Sequence, residues 1–391
     1  MAELLTPNDL CEGLKNLFQV NPIFAGKKLH VFVIANERAG GFTQVKQSEK
    51  NRQILKKILD SVHNKEVAAQ SVTLELLVTK SSGHGKLLAV EIAKKASKDF
   101  LTVIVSAGGD GTSLEVQTGL TKWALESEKN RDTVMNDILV YRLPLGTGND
   151  GTDGHTFEES LGRLTKPLHF ANAKAVKFSV NSEVSENGIK SAGMNPADYG
   201  DVTEKSPWYA FNLAGLGLDA FVCWKTNQEK TKHPGNYYQL MVDFATLNYN
   251  KLFPPEKAEI QIFDGDKLLE KVDSPFEMLT FGVSGHRTFG SGKKIFPADE
   301  NAAVIGKLDV ITMVKNSPKF NDGSYIKTNI AKTYCATKMI LNYEHPVLCE
   351  LDGETHLLLK ENFPITLELT EPCIQVLECD DLEYGRGTVK K

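Results

Sequence analysis

The stretch Leu101-Thr-Val-Ile-Val-Ser-Ala107, followed at once by Gly108-Gly109-Asp110-Gly111-Thr112, decides the fold. Its first seven residues form a largely apolar, β-branched run, which is how a strand buried on both faces reads. Three glycines in the next four positions let the backbone approach a ligand with no Cβ in the way. Where such a turn opens a helix, the first N–H groups lack intrahelical partners and form an anion site suited to phosphate. Asp110 is out of place in a plain anion site, because a lone carboxylate repels phosphate. A Mg²⁺ ion bridging carboxylate and phosphate oxygens removes the conflict. Taken alone, the same residues also fit a tight turn with an acidic cap.

A second loop of this kind lies downstream. Ile138 to Leu143 reads as another buried strand and runs into Pro144-Leu145-Gly146-Thr147-Gly148-Asn149-Asp150. In open parallel sheets, ligands sit beyond the carboxyl ends of the strands. Two glycine-rich loops at neighbouring strand ends therefore read as two sides of one nucleotide cleft, with Thr147, Asn149 and the loop amides turned to phosphate or base edges. Leu29–Ala35 and Val72–Thr79 are further strand candidates. Residues 46–62 predict a helix, with Ile54, Ile58 and Val62 on one face, and a second helix after Gly85 carries Leu88, Ile92 and Ala96. This alternation predicts a three-layer α/β domain over residues 1–165.

After residue 166 strands dominate: Ala175–Val180, Trp208–Leu213, Ala258–Phe263, Met278–Val283, Leu308–Val314, Val347–Leu351 and Ile365–Leu369, with one strong helix from Tyr237 to Tyr249. The pattern predicts an antiparallel β-sandwich domain over 166–370. Residues 181–207 read as a polar surface insertion. The polar tail from Cys379 reads as frayed, although 371–391 is placed to pack back on the first domain.

Composition narrows the function. The chain has 391 residues, 41% hydrophobic and 24% charged, with a formal net charge of -5, so neither a disordered chain nor a global basic field for nucleic acid is expected. Six scattered cysteines read as free thiols of a reducing compartment. The first twenty residues lack the basic-then-apolar order of a signal peptide, and no apolar run approaches about 18 residues. The expectation is a cytoplasmic protein that meets a membrane, if at all, peripherally at its inner face.

These motifs, in this order, resemble the diacylglycerol kinase catalytic-domain family, which includes bacterial lipid kinases and sphingosine and ceramide kinases. The resemblance rests on Thr79…Gly83-His84, GGDGT at 108–112 with Glu115-Val116 behind it, and PLGTGND at 144–150. It continues through Asn212 to Ala220, Phe289 to Val310 and Leu351-Asp352-Gly353-Glu354; Asn36 to Gly40 matches the opening motif more loosely. It implies a nucleotide domain like those of phosphofructokinases and NAD kinases, a β-rich lipid domain, and transfer of the γ-phosphoryl group of MgATP to a lipid hydroxyl. By that similarity Asp110 serves the metal through the phosphates and Glu354 is the general base. Gly108, Gly109, Gly111, Thr112, Gly146, Thr147, Gly148, Asn149, Asn36 and His84 are the nucleotide-side candidates. Diacylglycerol is the leading acceptor, ahead of a sphingoid base or ceramide. Beyond ATP, lipid and a transient membrane surface, a homodimer is left open.

The chain departs from the family's pattern at Gly-Thr-Asp-Gly-His (151–155), where the family has a hydrophobic helix start. It departs again at Val304-Ile305, where the family has an acidic pair. NAD kinase shares GGDGT but not the later motifs, and a non-catalytic nucleotide sensor on the same fold is the third reading. Gly215-x-Gly217-x-x-Ala220 imitates a dinucleotide fingerprint, but β-rich surroundings argue against the helix that motif needs. Gly290-Ser-Gly292-Lys293-Lys294 fails as a Walker loop because Lys294 replaces Ser/Thr. Cys373 and Cys379 lack zinc-site spacing.

Overall fold

The computed structural model describes residues 3–146, 148, 153–154, 156–199, 204–232, 238–285, 287–288, 294–296, 298–379 and 388–390. Helix α1 (Pro7–Val20) opens on a capping box between Thr6 and Asp9. There follow β1 (Lys28–Ala35), the single turn α2 (Gly40–Thr43), α3 (Val45–Val62), β2 (Ser71–Val78), α4 (His84–Lys95), β3 (Leu101–Gly108), α5 (Asp110–Leu125), α6 (Glu128–Asp137), β4 (Ile138–Pro144), α7 (Phe157–Arg163) and β5 (Leu168–Ala173). Strands β2, β1, β3 and β4 lie side by side and parallel. Successive residues point to opposite faces, and both are covered. Val31, Val33 and Val105 join the core that α1 and α3 close, whereas Phe32, Ile34 and Ile104 join the core of α4 and α5. This is the three-layer α/β domain that the sequence predicts.

The chain then builds β6 (Val176–Ser179), α8 (Glu186–Ser191), β7 (Trp208–Ala210), β8 (Leu213–Gly217), α9 (Leu218–Lys232), α10 (Tyr238–Leu252), β9 (Lys257–Asp264), β10 (Lys267–Gly282), β11 (Arg287–Thr288), β12 (Lys294–Phe296), β13 (Ala302–Gly306), α11 (Val310–Asp322), β14 (Ala331–Tyr334), β15 (Lys338–Asn342), β16 (Val347–Leu351), β17 (Glu354–Leu358) and β18 (Ile365–Leu369). Apart from the β11–β12 hairpin, these strands make one large antiparallel sheet. Its spine is β10, which pairs with β9 through its first half and with β8 and β13 through its second. The chain finally returns to the first sheet. Strand β19 (Ile374–Cys379) runs between β4 and β5, and β20 (Thr388–Lys390) pairs with β5.

Several elements differ from the sequence reading. The first sheet takes β5, so its strands continue past residue 165 to Ala173. Leu308–Val314, read as a strand, contains the start of α11. Asp309 Oδ1 accepts from Thr312 N at 2.9 Å, and this cap outweighs the β-branched residues behind it. Helix α9 was not expected either. It starts directly after Gly217, whose φ is 83° and where a Cβ would lie 2.3 Å from the Glu277 carbonyl oxygen. The fingerprint-like glycines thus do precede a helix, but β8 is antiparallel to both neighbours, so no parallel βαβ unit forms. The insertion is not merely a surface segment: Val184, Ile189 and Tyr199 belong to the second domain's core, and Tyr199 stacks on Trp224 with centroids 5.5 Å apart. The tail, read as frayed, returns to strand at Thr388–Lys390, and 380–387 lies outside the described residues.

Candidate active site

Three strands end at one level and their loops are stitched together. Ala35 is in register with Ala107, and Gly108 with Pro144. Asn36 N donates to Ala107 O (2.9 Å), Leu145 N to Gly108 O (2.7 Å) and Gly41 N to Leu145 O (2.8 Å). The Cβ that any residue but glycine would carry at 108 falls 2.4 Å from Thr112 Oγ1, so that position has no room for a side chain. At Gly109 it would stand 3.5 Å from Gly146 Cα, which sets the two glycine turns against each other. Gly109 is the N-cap of α5 and offers no capping side chain. With no capping side chain there, the positive end of the helix dipole lies at this edge of the crevice.

A buried charge pair fixes the base of the second loop. Arg142, in the otherwise apolar strand β4, contacts Asp153 through Nη2–Oδ1 (2.8 Å) and Nε–Oδ2 (3.2 Å), and its Nη1 meets Gln117 Oε1 at 3.2 Å. Arg142 is 4% exposed and Asp153 0%. Asp153 Oδ2 also accepts from Arg142 N (2.5 Å), and Asp153 N donates back to Arg142 O (2.8 Å). Burial works against the guanidinium charge, yet Asp153 holds its pKa above the usual value. The departure at 151–155 thus supplies its own anchor.

The second domain reaches this edge through one hairpin. Asp352 and Gly353 turn between β16 and β17 with φ of 49° and 90°, the left-handed pair of a two-residue hairpin. The Asp352 carboxylate accepts from the amides of Phe211 (2.6 Å), Asn212 (2.9 Å) and Leu213 (3.0 Å). Burial pushes it up to about 6 against these three donors, and the charge of Asp110 adds to the rise. Directly after the turn, Glu354 Oε1 lies 3.1 Å from where a Cβ on Gly111 would stand, at the first turn of α5. The residue stays open to solvent in a crevice whose walls crowd its carboxyl. The surrounding protein raises its pKa by desolvation, and Glu115, Asp110 and Glu204 add to the rise, while Lys86 opposes it.

The structure therefore brings Asn36, Gly108, Gly109, Asp110, Gly111, Thr112, Gly146 and Glu354 to one crevice. Asn36 Oδ1 accepts from Arg38 N at 3.0 Å and shapes its own turn. His84 Nδ1 accepts from Lys80 N at 3.0 Å, a capping contact at the start of α4. That helix is capped again by Glu115, which accepts from Gly83 N (2.7 Å) and Gly85 N (2.8 Å). Gly148 is half-buried, and Thr147, Asn149 and Asp150 lie outside the described residues, as do Phe289 to Lys293. Asp352, Asp153 and Arg142 carry more of the geometry than the sequence reading gave them. A lone arginine in an apolar strand and an Asp-Gly between two strands were the available signals.

A family model described as diacylglycerol kinase catalytic domain matches residues 30–177. The match agrees with the resemblance drawn from the motifs over that stretch. Two solved structures of candidate diacylglycerol kinases from Bacillus anthracis str. Sterne share 16% and 17% identity with it, with TM-scores of 0.56 and 0.55. A third, described as a diacylglycerol kinase of the same organism, has 14% identity and a TM-score of 0.51. Each alignment covers 90% of this chain and 97% of the other, so the likeness extends to both domains of the fold. No curated protein matches the chain.

Proposed function

We propose that this protein is an ATP-dependent lipid kinase that transfers a γ-phosphoryl group to a lipid hydroxyl, with diacylglycerol as the leading acceptor. The observation that carries the reading is the placement of Glu354 beside Gly111, because it sets a proton acceptor next to a helix terminus built for phosphate. Phosphoryl transfer asks for positioning, charge neutralisation and a base near the nucleophile. In this reading the amides of Gly109 to Thr112 and the Gly146 turn hold the triphosphate. Asp110 would hold Mg²⁺ together with the phosphate oxygens; one carboxylate plus substrate phosphates is a donor set that suits this ion, which would neutralise the developing charge. Glu354 receives the acceptor's hydroxyl proton, and the upward shift of its pKa makes it a stronger base than an ordinary carboxylate.

The second domain supports an apolar acceptor. A small pocket opens between α9, α10 and α11, lined by Leu218, Val222, Val242, Met278 and Phe320, with Asp219 as a carboxyl group in its wall. Beside it Leu240, Phe244 and Leu247 of α10 and Val310, Ile311 and Val314 of α11 are exposed, each at least 39%. Lys251, Lys307 and Lys315 are exposed around them. An apolar face edged by lysines fits an anionic bilayer surface. Among the described residues no helix is long and apolar enough to cross a membrane.

The test is transfer of labelled γ-phosphate from MgATP to diacylglycerol, a sphingoid base, ceramide and NAD. Phosphorylation of a lipid, lost in Asp110→Asn and Glu354→Gln, is the expected result. Turnover with NAD alone, or no ATP binding, would overturn it.

A further inference from the structure

Glu204 closes the polar insertion, and its carboxylate leaves its own domain for the other. Oε2 lies 2.5 Å from Lys86 Nζ on α4, and Oε1 lies 3.3 Å from Lys122 Nζ on α5. All three side chains are only 22% to 35% exposed, so this cluster is screened less than a surface pair. Burial works against its ionisation, yet the two lysines hold the Glu204 carboxyl below the usual range. The backbone around it is pinned too. Lys122 Nζ donates to Lys205 O (3.2 Å), Trp208 Nε1 to Glu204 O (2.9 Å) and Ser206 N to Glu183 Oε2 (2.9 Å). Trp208 then stacks on His356, with centroids 4.3 Å apart and planes 6° from parallel. His356 stands in β17, the strand that begins at Glu354. At its other end the insertion is rooted in the second domain through Ile189 and Tyr199.

We infer that Glu204 is a positioning residue: a charged latch that ties the second domain to α4 and α5 and thereby holds β17, with Glu354 at its start, over the first turn of α5. The consequence for catalysis rests on the lipid-kinase reading, whereas the latch itself is a contact between two domains and can be read without turnover. The nucleotide loops lie outside the latch, so breaking it loosens the acceptor side and leaves the triphosphate site in place.

The experiment is hydrogen exchange of segments 204–210 and 354–358 in the substrate-free chain, run on wild type, Glu204→Gln, Glu204→Asp and Lys122→Met. Glu204→Gln keeps the shape, removes the charge and leaves two lysines facing each other. Exchange in both segments should rise by about tenfold, with smaller rises in Lys122→Met and Glu204→Asp. Salt raised to about 1 M should raise exchange in wild type by less than the substitution does, because the cluster is sheltered, and add little in Glu204→Gln. With diacylglycerol in mixed vesicles, Glu204→Gln should lower kcat by about tenfold and leave KM for MgATP within about twofold. Thermal melting separates a folded variant from a collapsed one, and Lys122→Met serves if Glu204→Gln does not fold. Unchanged exchange at 354–358 in folded Glu204→Gln overturns the latch. If wild type phosphorylates no lipid, the functional reading fails and the exchange data still decide the latch.

Discussion

The two sides of the crevice are built on opposite plans. The proposed nucleotide side is mostly backbone: amides at the head of α5, two glycine turns placed against each other, and a buried Arg142–Asp153 pair under the second loop. The acceptor side is side chains hung on one two-residue turn, with Asp352 gripping three amides so that Glu354 is delivered to Gly111. A backbone site is spoiled by adding atoms, such as a Cβ where none fits. A side-chain site is spoiled by taking one functional group away.

Exchanging single groups on the acceptor side gives the largest expected effect. Glu354→Gln keeps volume and removes the proposed base, so kcat should fall by about 10²- to 10⁴-fold while MgATP binding stays near wild type. Calorimetric titration with a non-hydrolysable ATP analogue checks the second half; lost nucleotide binding would show that the two sides are not separable. On the nucleotide side Asp153→Ala should instead cost stability, about 3–5 kcal/mol, because it leaves the Arg142 guanidinium buried without its partner. Urea melts measure this, and a cost under about 1 kcal/mol would mean that the pair is not what fixes the loop base.

Deeper in the second domain, Glu277 on β10 is fully buried, and burial pushes its carboxyl up to about 7, against a hydrogen bond from Leu308 N. Its folded pKa is raised, so stability falls as pH climbs from the ordinary carboxylate value toward about 7. Glu277→Gln removes this dependence. The variant should gain on wild type by about 2–3 kcal/mol between pH 5 and pH 8, and parallel melting curves across that range would refute the assignment. The smallest effect belongs to the apolar face. Leu247→Ser with Ile311→Ser should weaken sedimentation with anionic vesicles several-fold and leave transfer to a detergent-dispersed short-chain lipid unchanged.

The same contrast explains what the sequence disclosed. Strands β1 to β4 and both glycine loops are legible because continuous apolar runs and glycine spacing are local signals. Glu354 is legible only through resemblance, since nothing near residue 354 announces that its partner stands at 111. Helices α9 and α11 escaped because β-branched residues and glycines suggested strands, while the deciding factors were the Asp309 cap and the close approach of Gly217 to Glu277. The Arg142–Asp153 anchor was hidden because it joins positions on either side of a loop whose own residues carry no periodicity.

Strand β19 has a further consequence. It is the inner neighbour of both β4 and β5, yet the chain must finish the whole second domain before Ile374–Cys379 is made. Until then β4 presents an open edge of hydrogen-bonding groups, a template for pairing with the wrong partner. The nucleotide lobe is therefore not an excisable module. During synthesis it waits on β19, and a fragment ending near residue 175 would meet that gap permanently.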